Sequence, residues 1–356
     1  MTPPLDPSEL FSFRALWRAA RRAAREKRLR PAVARFKLTL ERELLDLHAD
    51  LLADVWRPAA PRIVHLRDPK PRVISIPPFR DRVVHQALCV GLAPRIERRL
   101  ITHSFACRVG QGSHAALRLA RAWARTYGWW VRLDVARYFP TIDHAVVREH
   151  LARDVPEEPI RALCSRILDA AGTVGGQHVP GDDLFAASGR RVGLPLGNLT
   201  SQLWANRYLD PIDHLVKDRL RHRPYLRYMD DMLLLHDDRA ALTALAREVE
   251  TACHGLRLRL HPWSVQPTAA GVGFVGFRIM PDHVRVRRST VRRAEGRMRE
   301  QLRIAGGVTE DFQAGLRSVF AHWDHADTWR LKERTLHRLR LLYEPDENST
   351  EDASVR

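Results

Sequence analysis

Arg227-Tyr228-Met229-Asp230-Asp231 sets two adjacent carboxylates in an apolar surround: Tyr225, Leu226 and Tyr228 precede them, and Met232, Leu233, Leu234 and Leu235 follow. This pattern predicts a β-hairpin with buried strands and an acidic tip. Two carboxylates in partly desolvated surroundings repel each other and are stable only when positive charge neutralises them. A divalent cation that prefers hard oxygen donors, such as Mg²⁺, is the usual remedy. An Asp-Asp step also suits a solvated turn, so the pair gains meaning only from the rest of the chain.

A third acid lies about a hundred residues upstream. Trp129-Trp130-Val131-Arg132-Leu133-Asp134 reads as an apolar strand ending on a carboxylate, followed by Val135, the aromatic pair Tyr138-Phe139, and a helix start at Thr141-Ile142-Asp143-His144. Alone, Asp134 suits a cap or a turn. With the hairpin tip it supplies the third carboxylate of a two-metal phosphoryl-transfer site, in which two Mg²⁺ ions about 4 Å apart clamp the attacking and leaving oxygens. Between the acids, Gly193-Leu194-Pro195-Leu196-Gly197-Asn198-Leu199-Thr200-Ser201-Gln202 forms a glycine- and proline-rich turn feeding a helix. Such a turn brings backbone close to a ligand. Lys70 and Arg72 flank a proline on a strand edge, where both can reach phosphate, the arginine as a fork and the lysine as a point charge.

Taken in this order, Asp134 with Tyr138-Phe139, the Gly-Leu-Pro-Leu-Gly-Asn…Ser-Gln block, and Tyr228-Met229-Asp230-Asp231 resemble motifs A, B and C of reverse transcriptases. More finely, they are similar to the enzymes of diversity-generating retroelements. Group II intron enzymes usually carry Gln where Leu196 stands and Pro where Gln202 stands; abortive-infection and defence-associated relatives share parts of the pattern. The resemblance runs from about Phe11 to about Leu341. It extends to a fingers block (Lys70–Pro77 and Arg80–Leu88), a following block with Arg108, and a primer-grip hairpin at Gly273–Arg278 containing Phe274 and Gly276.

What the resemblance implies is an α/β (α+β) right-hand polymerase fold with interleaved fingers and palm and a helical thumb. The expected divisions are a basic helical segment over 1–37, fingers over 38–133, palm over 134–280, thumb over 281–343, and a disordered acidic tail over 344–356. Asp134, Asp230 and Asp231 would be catalytic and, with the Val135 carbonyl, would hold two Mg²⁺ ions. Lys70 and Arg72 would grip the triphosphate, and Phe139 would exclude a 2′-hydroxyl by steric clash. Gly197, Asn198 and Gln202 would form the floor under the nascent base pair. Arg108, Phe274, Gly276, Arg292, Arg293 and Arg297 would meet template and primer. Leu196, aliphatic where a hydrogen-bonding glutamine is usual, implies error-prone copying opposite adenine. The family commonly has a lysine before the primer grip, but Leu260-His261-Pro262-Trp263-Ser264-Val265 has none. His261 or a more distant arginine is left to take its place, or no general acid assists.

Composition agrees. A net charge of +17 over 356 residues and a pI near 10.7 predict attraction to polyanions. Residues 11–37 hold ten Lys or Arg against one acid, Glu26, with Arg14, Arg18, Arg21, Arg22 and Arg25 at helical spacing. That segment is expected to end near Arg30-Pro31 and to meet RNA or an acidic partner. The loop from Gly172 to Val192 is expected to be a mobile insertion, Ser289 to cap the arginine-rich thumb helix, and Trp323 and Trp329 to be thumb core. Cys89, Cys107, Cys164 and Cys253 have no metal spacing and suit buried thiols in a reducing cytoplasm. No run of about 20 apolar residues predicts a membrane span.

The expected partners are template RNA, primer, RNA·DNA duplex and deoxynucleotides, with an accessory variability protein or a structured noncoding RNA, in a cytoplasmic, bacterial or phage-encoded setting. The leading reading is mutagenic copying of a template RNA into cDNA. Its rivals are an antiviral defence enzyme working on its own noncoding RNA and an inactive RNA-binding scaffold.

Overall fold

Alternation decides the strand that carries the first acid. In Trp129–Asp134, Val131 and Leu133 are buried, which turns Arg132 and Asp134 together to the opposite face. The structure, a computed structural model, describes residues 4–27, 29–66, 71–183 and 185–341. Lys70 and the acidic tail lie outside the described residues. The chain forms two compact units, one of residues 1–116 and 131–265, the other of residues 117–130 and 266–356.

In the first unit the acidic hairpin pairs Tyr225–Tyr228 with Asp231–His236, in a register that runs from Tyr225 opposite Leu234 to Tyr228 opposite Asp231. Its second strand neighbours Trp129–Asp134 in the sheet. Leu226, Met232, Leu233, Leu234 and Leu235 are fully buried, as the unbroken apolar run requires of a strand covered on both faces. The 19-residue helix Phe79–Glu97 buries much of its length: Val83, Val84, Ala87, Leu88 and Leu92 are buried. It contacts the basic helix Phe13–Ala23 and the helix Leu199–Tyr208.

The basic segment departs from expectation. Its helix stops at Ala23, whose carbonyl accepts from Arg82 Nη2 at 2.8 Å, and Pro31 opens a separate helix, Pro31–Leu38, at its first position. Asp143 does cap the helix His144–Asp154, accepting from the Ala145 N–H at 2.8 Å. The insertion between Gly172 and Val192 has structure of its own. Thr173–Val174 pairs with Arg191–Val192, and Arg190 pairs with Asp182 and lies 3.9 Å from Asp143. Cys89, Cys164 and Cys253 are buried, but Cys107 is exposed on a turn at φ +55°.

In the second unit three antiparallel strands, Val272–Phe274, Phe277–Ile279 and Val284–Val286, precede the helices Arg288–Ala305, Glu310–Trp323 and Trp329–Arg338. Arg287, not Ser289, occupies the N-cap of the first of these helices, and no side chain caps it. Buried Glu295 joins the first helix to the third, accepting from Thr335 Oγ1 at 3.1 Å and from Arg338 Nη1 at 3.1 Å. The two tryptophans divide: Trp323 is core at 1% exposure and Trp329 faces solvent at 82%. Among the described residues no helix is long and apolar enough to cross a membrane.

Candidate active site

The hairpin register leaves Met229 and Asp230 as the two turn residues, and Met229 adopts φ +58°, a left-handed conformation uncommon for a long side chain. Arg227 holds it there. This fully buried guanidinium donates to the Met229 carbonyl at 2.8 Å, to Asp213 Oδ1 and Oδ2 at 2.8 and 2.6 Å, and to the Asn206 side chain and carbonyl at 3.2 and 3.1 Å. Tyr225 adds its hydroxyl to Asp213 at 2.6 Å. A buried ion pair is tolerated only when its remaining donors and acceptors are met, and here nearly all are.

The first acid arrives from the neighbouring strand. The Val135 N–H donates to the Asp230 carbonyl at 3.4 Å, and the His261 N–H donates to the Asp134 carbonyl at 2.8 Å. The backbone thus ties the strand end to the hairpin tip on one side and to the 260–261 segment on the other. Burial raises the Asp230 carboxyl above its ordinary value, and repulsion from Asp134 adds to this, against the pull of Arg132 and Arg72. Asp231 is pushed up to about 6, again by burial first, with Asp134 and Asp230 adding to it and Arg132 opposing. Three acids crowded on hard oxygen donors suit a divalent cation. Arg132, however, sits among them, ion-paired to Asp231 and with Nη2 3.9 Å from Asp134 Oδ1. Among the described residues no three acids, histidines or cysteines are already grouped as a metal cage.

The glycine-rich turn is stitched to both sides of the site. Gly193 and Leu194 donate to the carbonyls of Ile142 and Phe139, each at 2.8 Å. The Ser75 N–H donates to the Leu196 carbonyl at 2.9 Å, and Ile74 and Leu196 form a parallel bridge. Gly197 has φ +109°, and a Cβ there would lie 2.9 Å from the Ser75 carbonyl oxygen, so close approach and backbone conformation both require glycine. Arg72, exposed on the strand Arg72–Ile76, is near enough for its charge to lower the Asp230 carboxyl. Phe139 and Gln202 are half-buried. Asn198 is buried at the helix N-cap, with its Oδ1 unpartnered.

The other expected site residues belong to other elements. Arg108 donates to the carbonyls of Ile101 at 2.8 Å, Ser104 at 2.9 Å and Glu97 at 3.4 Å; these bonds close a turn and leave Nε and one Nη2 hydrogen to offer. In the second unit the Phe274 side chain is fully buried. Val275 and Gly276, at φ +38° and +89°, form the turn that follows. Arg292 and Arg297 are exposed and Arg293 half-buried on one helix. His261 is exposed and lines a groove with Arg259, Trp263, Gln177 and Ala136. Sequence reasoning missed Arg132, Arg227, Asp213 and Asn206. Strand alternation could have flagged Arg132, two residues before Asp134; the others depend on tertiary contact.

This fold and this arrangement of acids define a polymerase-type catalytic domain, and the chain belongs to the reverse transcriptase (RNA-dependent DNA polymerase) family, whose description matches residues 65–279. Protein YkfC of Escherichia coli strain K12 is 24% identical over 280 residues, covering 67% of this chain and 71% of that protein. Nuclear intron maturase 2, mitochondrial, of Arabidopsis thaliana is 34% identical over 91 residues, which span 26% of this chain and 12% of the maturase. Among solved structures, telomerase from Candida albicans in complex with a telomeric RNA fragment aligns at a TM-score of 0.48 and 11% identity, covering 80% of this chain and 55% of that one.

Proposed function

We propose that this protein copies an RNA template into DNA in a Mg²⁺-dependent reaction centred on Asp134 and Asp230. The observation that carries the reading is the backbone-tied meeting of a strand-end carboxylate with the two hairpin-tip carboxylates, two of the three raised by burial and mutual repulsion. Asp134, Asp230 and the Val135 carbonyl would hold two Mg²⁺ ions, with Asp231 in support; bound there, they would supply charge stabilisation for the 3′-oxygen and the departing diphosphate. Arg72, and Lys70 beside it in sequence, would bind the triphosphate. Phe139 would block a ribose 2′-hydroxyl. Gly197, Asn198 and Gln202 would support the nascent pair.

Primer extension on an RNA template tests this. Asp230→Ala should abolish Mg²⁺-dependent incorporation, and a variant that still extends the primer overturns the reading.

Within that reading, the aliphatic Leu196 supports the diversity-generating type with adenine mutagenesis, because a lost hydrogen bond narrows the margin between correct and incorrect pairs. Each 1.4 kcal/mol of lost discrimination is about tenfold in selectivity. Leu196→Gln is expected to lower misincorporation opposite template adenine; an unaltered error spectrum in sequenced products refutes it. Arg14, Arg18 and Arg21 are exposed on one face of Phe13–Ala23, with Trp17 beneath Arg21, and exposed Arg25 follows the helix. They would meet RNA phosphates or an accessory protein's acidic surface.

A further inference from the structure

Arg132 is placed by the same alternation that places Asp134. With Val131 and Leu133 turned into the core, the side chains of Arg132 and Asp134 share a face two residues apart. The neighbouring strand begins at Asp231, and the Arg132 Nε donates to Asp231 Oδ1. Its Nη2 lies 3.9 Å from Asp134 Oδ1, a looser approach. The Asp231 side chain is 17% exposed and that of Asp134 35%, so the acid bonded to the arginine is the more enclosed of the two. The structure gives the Asp230 carboxylate no hydrogen bond from Arg132, whose Nε goes to Asp231. The three acids are therefore not equivalent. One carries a charge-assisted hydrogen bond to a guanidinium, which a cation would have to displace. The other two do not.

We infer that Arg132 is a positioning residue that keeps Asp231 as its own ion-pair partner and leaves Asp134 and Asp230 as the pair open to divalent cations. This rests on the polymerase reading and sharpens it, because Asp231 then acts through Arg132 rather than as an equal ligand. Removing the guanidinium would release a third carboxylate into the site. Cation binding would tighten, while Asp134, no longer flanked by positive charge, would lose its orientation and turnover would fall.

Mn²⁺ binding to the full chain, followed by electron paramagnetic resonance, tests this independently of polymerisation. Asp230→Asn is expected to weaken Mn²⁺ binding by more than about 100-fold and Asp231→Asn by about tenfold, since removing a group that only orients a ligand costs about 10–100-fold. Arg132→Met should bind Mn²⁺ several-fold more tightly than the unaltered protein, with kcat for primer extension reduced and KM for the nucleotide unchanged. Arg132→Lys, which keeps the charge but not the fork, should restore part of the kcat. The inference is overturned if Asp231→Asn weakens binding as much as Asp230→Asn, or if Arg132→Met binds Mn²⁺ no more tightly than the parent. Should Arg132→Met fail to fold, the Asp231→Asn and Asp230→Asn pair decides alone. A parent protein that neither binds Mn²⁺ nor extends a primer sinks the polymerase reading and this inference with it. A parent that does both while the variants fail the pattern sinks only the inference.

Discussion

Two arginine–aspartate pairs serve the acidic hairpin, one behind it and one at its tip. Arg227 and Asp213 are both fully buried, and every neighbour that could accept or donate is engaged: Asn206, Met229 and Tyr225. Arg132 and Asp231 keep side-chain exposures of 30% and 17%, and the acid has two like charges for neighbours. The same two functional groups thus do opposite work. In a closed, saturated setting the pair fixes a backbone turn and cannot be exchanged without leaving a stranded charge. In a half-open setting crowded by acids it engages one carboxylate by a hydrogen bond and leaves the other two without one from it. Surroundings, not residue type, separate architecture from chemistry here.

The comparison breaks first at the buried pair. Asp213→Ala should destabilise the protein by about 3–5 kcal/mol, because it leaves a guanidinium buried without its counter-charge; urea unfolding at neutral pH reads this. A loss under about 1 kcal/mol would mean that water or a rearranged Asn206 satisfies Arg227, and the distinction would fail.

A third pair gives an intermediate case. Arg95 binds both oxygens of Glu157 at 2.7 Å, and the Leu5 N–H donates to the same acid at 2.7 Å. The Arg95 hydrogen bonds hold the Glu157 carboxyl down at about 2, below an ordinary 4.5. A carboxyl lowered on folding contributes stability that is full above pH 4.5 and is lost as pH falls towards 2. Glu157→Gln should therefore cost about 1.5–3 kcal/mol at pH 7 and progressively less below pH 4.5, as read by urea unfolding at the two extremes. A cost that stays constant with pH would assign the effect to packing.

The smallest expected change sharpens the contrast most. Arg132→Met should alter unfolding free energy by no more than about 1 kcal/mol, as for a partly solvated pair. Thermal melting alongside the Mn²⁺ measurement checks this, and a loss approaching that of Asp213→Ala would make Arg132 a structural residue.

Much of the site could be read from the chain because its signals are local. The apolar run ending on Asp134, the capped helix start at Asp143 and the hairpin around Met229-Asp230 each announce themselves within about ten residues, the scale on which periodicity operates. What escaped notice depends on contacts far apart in sequence. Nothing local pairs Arg227 with Asp213, or joins Ile74 to Leu196. The insertion at 172–192 read as loose because its Gly and Asp content is that of a loop, yet Arg190 binds Asp182 there and approaches Asp143. Arg108 joins the expected template contacts only through the resemblance of its block, and the carbonyls of Ile101, Ser104 and Glu97 occupy three of its N–H groups. Trp323 and Trp329 looked alike in sequence and diverged because one faces its helix partners and the other does not.

The seam between Ser75 and Leu196 has one further consequence, for how the enzyme can evolve. At 196 the link to the neighbouring strand is made by main chain, so the seam itself sets no demand on the side chain. The residue after it has no such latitude, because any Cβ at 197 would drive the two backbones apart. A position where substitution leaves the seam intact is therefore fastened beside one where it does not.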